Sequence, residues 1–279
     1  MEEINNGFVK FHLPCPLCSS SDAVSVNADN SAYCFSCQEY IREYDMELQP
    51  TSSSNNEYEV KNYMKESNYA EIVDRGISEQ TCRKFGVTVK MDNMGTITNH
   101  YYPYHDTQGA KIATKTRYTK LKEFSIQGNT KNSGLFGEHL FSKNKYCIIT
   151  EGELDAMSVQ QMYANKNNEY PVVSITNGVG GAKKQIAANL DWINSFEEVI
   201  FMFDADEVGR NAANECAKLV RTGKAKIASL GRHGKDASDY LISQHLRELD
   251  DSVWRAQEYS PAGIINSAST WEEFSRDMR

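Results

Sequence analysis

The sequence predicts an α/β protein in three parts: a small N-terminal β ribbon, a tethered mixed α+β segment, and a doubly wound parallel sheet. Three observations carry this. Two pairs of cysteines lie between Cys15 and Cys37, a polar serine- and asparagine-rich stretch follows them, and from Tyr146 onward short apolar runs alternate with helix-forming runs. Continuous apolar strands separated by helices indicate a parallel sheet covered on both faces.

The ribbon comes first. Cys15, Cys18, Cys34 and Cys37 are spaced C-x2-C-x15-C-x2-C, within the range of a structural zinc site, where each knuckle points two thiolates at one ion. Four thiolates leave no position open for water. A unit of about 40 residues buries too little apolar surface to fold alone, so the metal would supply the stability. Between the pairs, "AVSVNADNSAY" alternates as a hairpin with its turn at Asn27 to Asn30. Ribbons of this kind bind nucleic acid or protein, and spacing does not separate the two. The predicted ribbon unit is 1–46. The polar, proline-interrupted stretch 47–60 then reads as a flexible linker.

In the next segment, 61–144, "YAEIVDRGISEQTCRKFGV" predicts two short helices joined at Gly76, and "GTITNHYYPYHDTQGAKIATKTRY" predicts strands around a "TQGA" turn. The whole chain of 279 residues has a formal charge of −8, which excludes a generally basic coat. From His100 to Lys145, however, eight lysines and arginines face only three acidic residues, a local positive patch of the kind nucleic acids and nucleotides attract. No apolar run approaches the roughly 18 residues of a membrane span, and the N-terminus has no signal-peptide pattern. A cytoplasmic location is expected, and Cys82, Cys147 and Cys216 are expected to be ordinary core residues.

The third part, 145–260, has strand-like runs "YCIIT", "PVVSIT", "EEVIFMF" and "KAKIASL" separated by helical runs "ELDAMSVQQMYA", "AKKQIAANLDWI" and "EVGRNAANECAKLVRTG". Ligands of such sheets bind beyond the carboxyl ends of the strands. Glu151 follows the first strand, Asp204 and Asp206 follow the third, and Asp236 and Asp239 follow the fourth beside Arg232 and Lys235. Crowded carboxylates repel one another, and an all-oxygen set favours Mg²⁺ or Mn²⁺. Glu153 and Asp155 fall on a first helical turn, which favours acids in any case; they count as supporting groups.

These residues resemble a known family. "TEGELDAMS", "FDADEVGR" and "KDASDY" are similar to the TOPRIM domain of bacterial-type primases, type IA and II topoisomerases and some nucleases. With a four-cysteine ribbon in front, the chain resembles the primase half of the bifunctional primase-helicases of T-odd bacteriophages, and "RGISEQTCRKFGV", "LFGEHLF" and "PVVSITNGVGGAKK" extend the likeness along its length. The resemblance implies a DNA primase that joins ribonucleoside triphosphates on a single-stranded DNA template. Asp204, Asp206 and Asp236 would hold Mg²⁺ or Mn²⁺, with Glu151 as a further ligand or as acceptor of the hydroxyl proton. It also implies that Lys115, Arg117 and Lys122 lie near the nucleotides, with Arg210 and Lys183 as weaker phosphate contacts. The ribbon, bearing one structural Zn²⁺, would read the template through Asp29 and Ser31. The best-known member of the family carries a histidine at the position of Ser31, so its template preference does not carry over to this chain. No G-x-x-x-x-G-K-[ST] phosphate loop occurs, so helicase activity would reside in a domain beyond 261–279, which reads as the start of a linker. The replicative DNA polymerase is the other implied partner. A TOPRIM nuclease and a non-enzymatic zinc and DNA-binding recombination module are the rival readings.

Overall fold

A computed structural model describes residues 8–17, 20, 23–37, 39–44, 68–121, 123–142, 144–166 and 169–260. The expected linker 47–60 and the tail 261–279 lie outside the described residues.

In the ribbon, strands β1 (Phe8–Leu13), β2 (Val24–Asn27), β3 (Ala32–Cys34) and β4 (Tyr40–Ile41) form a sheet in that order, β2 and β3 making the expected hairpin. At the turn, Asn30 takes the left-handed conformation and its N–H donates to the Asn27 carbonyl at 3.1 Å. The small core contains Val24, Val26, Ala32, Tyr44, Cys15 and Cys34.

The second segment begins with a 3-10 turn, Val73–Arg75, and helix α1 (Glu79–Phe85), separated at Gly76 as the sequence predicts. Ser78 caps α1, its hydroxyl accepting from the Thr81 N–H at 3.2 Å. Strands β5 (Thr88–Met91), β6 (Ile97–His105), β7 (Lys111–Tyr118) and β8 (Glu123–Gly128) then form an antiparallel sheet. The hairpin around "TQGA" is the β6–β7 pair. His100, Tyr102 and Tyr104 of β6 share a face with Ala113, Lys115 and Arg117 of β7, because Tyr102 lies opposite Lys115 in the register.

The third segment holds β9 (Tyr146–Thr150), α2 (Glu153–Ala164), β10 (Val172–Ser174), α3 (Val179–Ala188), α4 (Leu190–Ile193), β11 (Glu198–Met202), α5 (Glu207–Ala217), β12 (Ala225–Ile227), α6 (Ala237–Ile242), α7 (Leu246–Trp254) and β13 (Gln257–Glu258). The sheet order is β10-β9-β11-β12-β13, parallel except for β13, which runs antiparallel and covers the open edge of β12. One core lies on the α2, α6 and α7 face and joins the antiparallel sheet through Tyr102, Tyr104, Phe85 and Phe136; the other contains α3 and α5 residues such as Ile186 and Ala213. Gln161 of α2 reinforces the first junction, donating to the Gly76 carbonyl at 2.7 Å and accepting from the Ser78 N–H at 2.8 Å. Cys82, Cys147 and Cys216 are buried core residues, as expected.

Two helical expectations need correction. The run 182–193 is not one helix: α3 starts earlier, and Asn189 interrupts it by turning its amide onto the Gln185 carbonyl at 2.9 Å, which competes with the helical ladder. Helix α5 stops at Ala217, before the turn at Gly223, whose φ of 82° suits the glycine. Among the described residues no helix is long and apolar enough to cross a membrane.

Candidate functional site

β9 and β11 lie side by side, with Thr150 opposite Met202, so the chain leaves both strands at one rim. The strand order also reverses there, since β10 lies on one side of β9 and β11 on the other. Doubly wound sheets open a ligand crevice at such a switch point. Glu151 directly follows β9, and Asp204 and Asp206 follow β11. The loop after β12 brings Asp236 to them through the Ala205 N–H, which donates to the Lys235 carbonyl at 2.7 Å. Gly209 allows α5 to start this close: a Cβ there would collide with the Asp204 carbonyl oxygen.

Two of these carboxylates also cap helices. Asp206 Oδ1 accepts from the Gly209 N–H at 2.8 Å at the start of α5, and Asp236 Oδ1 accepts from the Asp239 N–H at 2.8 Å at the start of α6. The caps fix both side chains at the rim.

The electrostatics records the crowding. Burial, and then repulsion from Asp204 and Asp206, lifts Glu151 from 4.5 to about 7. Asp155 lies buried beneath the rim. Burial and then Asp236 push it well above the usual carboxylate range, although its Oδ1 accepts from the Ser238 N–H at 3.0 Å. Asp236 is raised by burial first, with Asp239 and Asp204 adding to it. Glu151 Oε2 is buried and has no hydrogen-bond partner among the described residues. Repelling carboxylates with an unsatisfied buried oxygen fit a hard divalent cation, which takes oxygen ligands and relieves the repulsion.

Two lysines approach this acidic centre. Lys115 is not on a solvated strand face: its Nζ donates to Glu153 Oε1 at 2.8 Å and to the Thr176 carbonyl at 2.9 Å, and the two paired side chains are 12% and 7% exposed. The Tyr104 hydroxyl donates to the same Glu153 oxygen. Lys235 Nζ meets Asp204 Oδ2 at 3.1 Å from the solvent side, and this hydrogen bond raises the pKa of the lysine. Arg117 and Lys115 both lie over the Phe124 ring, at 5.6 and 4.6 Å from its centroid.

The remaining sequence-predicted residues are more dispersed. Arg210 is exposed and donates to the Ala205 carbonyl between the two aspartates. Lys183 pairs with Glu215 at 3.0 Å, joining α3 to α5. Lys122 lies outside the described residues, as does Cys18. The Sγ atoms of Cys15, Cys34 and Cys37 lie within 4.8 Å of one another, a cluster able to hold a metal ion. On the hairpin turn, Asp29 is exposed and Ser31 is buried; Asp29 Oδ1 accepts from the Ser31 hydroxyl at 2.6 Å and from its N–H at 3.0 Å. These two bonds lower the Asp29 pKa.

Sequence reasoning missed Tyr104 and Tyr240. Period-two alternation in β6 does put Tyr104 on the covered face, but nothing local names its carboxylate partner. The Tyr240 hydroxyl accepts from the backbone N–H groups of Gly231, Arg232 and His233 at 3.2, 3.1 and 3.4 Å, which shapes the loop leading to Lys235.

Comparison with known proteins agrees with this layout. A Toprim-like family model matches residues 148–241, and a model described as the N-terminal a+b fold of bacteriophage T7 DNA helicase/primase matches 67–128. The DNA helicase/primase of Enterobacteria phage T3 is 34% identical over 288 residues, covering 100% of this chain and 49% of that protein. The chain thus spans about half the length of that curated relative. The crystal structure of the primase fragment of the bacteriophage T7 primase-helicase protein superposes with a TM-score of 0.62 at 34% identity, over 88% of this chain and 99% of that one. A bacteriophage T7 structure, in which lagging-strand DNA polymerase interacts with primase domains of two gp4 subunits bound to an RNA/DNA hybrid and dTTP, matches with a TM-score of 0.62. Its identity is 36%, over 69% of this chain and 94% of that one.

Proposed function

The chain belongs to the family of bacteriophage primase-helicase proteins, of which it spans the primase part, and on that premise we propose that it is a DNA primase. It joins ribonucleoside triphosphates into short oligoribonucleotide primers on a single-stranded DNA template, for lagging-strand replication. The observation that carries this reading is the meeting of Glu151, Asp204, Asp206 and Asp236 at one rim, with a cation on either flank.

Asp204, Asp206 and Asp236 would hold Mg²⁺ or Mn²⁺ there, with Glu151 as a fourth ligand or as the base that accepts the 3′-hydroxyl proton. Such an ion, when bound, stabilises charge on the attacking and leaving oxygens of phosphoryl transfer. Burial of its carboxyl favours the protonated form, which suits Glu151 to accepting a proton. Lys115, committed to Glu153, locks β7 against the rim. Arg117, Lys122 and Arg210 are then the groups that meet phosphates, and the exposed Phe124 ring offers a face for base stacking.

In the ribbon, Cys15, Cys18, Cys34 and Cys37 hold a structural Zn²⁺. Its turn, with Asp29 outermost and Ser31 bracing it, reads the template. The chain divides into the ribbon (1–46), a linker (47–60), an N-terminal polymerase subdomain (61–144), the TOPRIM subdomain (145–260) and the start of a linker to a helicase domain (261–279). A helicase domain in the native polypeptide and the replicative DNA polymerase are its partners in the host cytoplasm.

The test is incubation with a pool of short single-stranded templates, Mg²⁺ and labelled ribonucleotides, followed by a denaturing gel. The expected result is a ladder of short products that disappears in Asp206→Ala. Cut template without products would show a nuclease, and intact bound template without products would show a binding module. Cys34→Ser is expected to lose zinc, read by metal analysis, together with template-directed synthesis.

A further inference from the structure

Among the described residues, the Lys235–Asp204 contact is the only ion pair made by Glu151, Asp204, Asp206 or Asp236. The two partners differ sharply in exposure: the lysine side chain is 63% exposed and the aspartate 15%. An ammonium on a solvent-side arm therefore reaches down onto a largely covered carboxylate of the cation-binding rim.

The base of the arm is fixed. The Lys235 carbonyl accepts from the Ala205 N–H at 2.7 Å, and its own N–H donates to Asp239 Oδ2 at 2.9 Å. The three N–H groups ahead of it converge on the Tyr240 hydroxyl. Backbone position is thus set by three neighbouring groups, whereas Nζ rests on one carboxylate oxygen and is otherwise in solvent. A lysine is a point charge on four rotatable carbons, suited to changing partners without moving its backbone.

We propose that Lys235 is a placeholder cation, neutralising Asp204 until a divalent ion binds and then moving to the phosphates of the incoming nucleotide. The physical reason is competition for one oxygen. A divalent ion on Asp204 offers twice the charge and repels the ammonium beside it. The exposed lysine is free to leave, and the nearest new anion is the triphosphate. A static structural ion pair would stay closed through the same sequence.

This inference rests on the proposed reading of the rim. The probe is amine acetylation of the full chain, quantified at Lys235 by mass spectrometry, without metal, with Mn²⁺, and with Mn²⁺ plus a non-hydrolysable ribonucleoside triphosphate analogue. Labelling at Lys235 should be low, then higher by about threefold or more, then low again. In Asp204→Asn it should be high without metal. Mn²⁺ uptake is followed separately by electron paramagnetic resonance, and Lys235→Gln should bind Mn²⁺ about three- to tenfold more tightly when no nucleotide is present. Unchanged labelling at Lys235 in a wild-type protein that does bind Mn²⁺, or weaker Mn²⁺ binding in Lys235→Gln, would overturn the placeholder role alone. Failure of the wild-type chain to take up Mn²⁺ would overturn both the placeholder and the cation-binding rim.

Discussion

Replacing Glu151 with glutamine should stabilise the metal-free protein at high pH while abolishing primer synthesis. The folded protein holds this carboxyl at about 7 against an ordinary 4.5, through burial and the neighbouring Asp204 and Asp206. A group whose folded pKa is raised supports the fold below its unfolded pKa, and that support is lost as pH rises through the folded value. Its ionised form is therefore a liability above about pH 7. At roughly 1.4 kcal/mol per pH unit, the displacement would reach about 3 kcal/mol for a fully buried group. The rim is partly open to solvent, and screening reduces this to about 1 kcal/mol.

Glutamine keeps the shape and mimics the protonated form. Thermal unfolding in metal-free buffer should show Glu151→Gln melting roughly 2 to 5 °C above wild type at about pH 8.5, and no higher at about pH 3.5, below the unfolded pKa. Added Mg²⁺ should reverse the order at the higher pH, because only the wild type would gain binding energy from an intact ligand set. An equal difference at both pH values, or a variant less stable at the higher one, would refute the electrostatic account of the rim.

Other substitutions separate chemistry from folding. Asp206→Asn and Asp206→Ala should both stop synthesis, but only alanine removes the α5 cap. Denaturant unfolding should place the alanine variant about 1 kcal/mol below the asparagine variant. Gly209→Ala should push Asp204 out of position, lowering primer yield by about 100-fold at a stability cost of about 1 to 3 kcal/mol; near wild-type yield would mean the loop can relax. Lys115→Met leaves the Glu153 carboxylate with only Tyr104 as a side-chain donor among the described residues and should cost about 2 to 4 kcal/mol in chemical denaturation. Adding Glu153→Gln should restore most of that.

Local chemistry made much of this molecule legible. Strand and helix alternate from β9 to β12 because apolar periodicity and helix-forming runs are properties of neighbouring residues. The α1 start at Ser78, the turn at Gly76, and the hairpins at "NADN" and "TQGA" are short-range features of the same kind. The breaks in two helices were less legible, since Asn189 and the turn after Ala217 act through hydrogen bonds and backbone conformations that composition does not show.

The sequence by itself determined the fold class, the cysteine pairing pattern and the four acids that follow strands. It could not decide that β9 and β11 are neighbours, because strand order comes from packing two helical layers on one sheet. That adjacency brings Glu151 beside Asp204, which adds to burial in raising its pKa. Likewise the resemblance sets Lys115 near the nucleotides, yet it is largely covered and paired with Glu153, a partner 38 residues away. Only the tertiary structure selects such a partner, because a buried charge must be paired and the chain supplies that pair where two sheets meet.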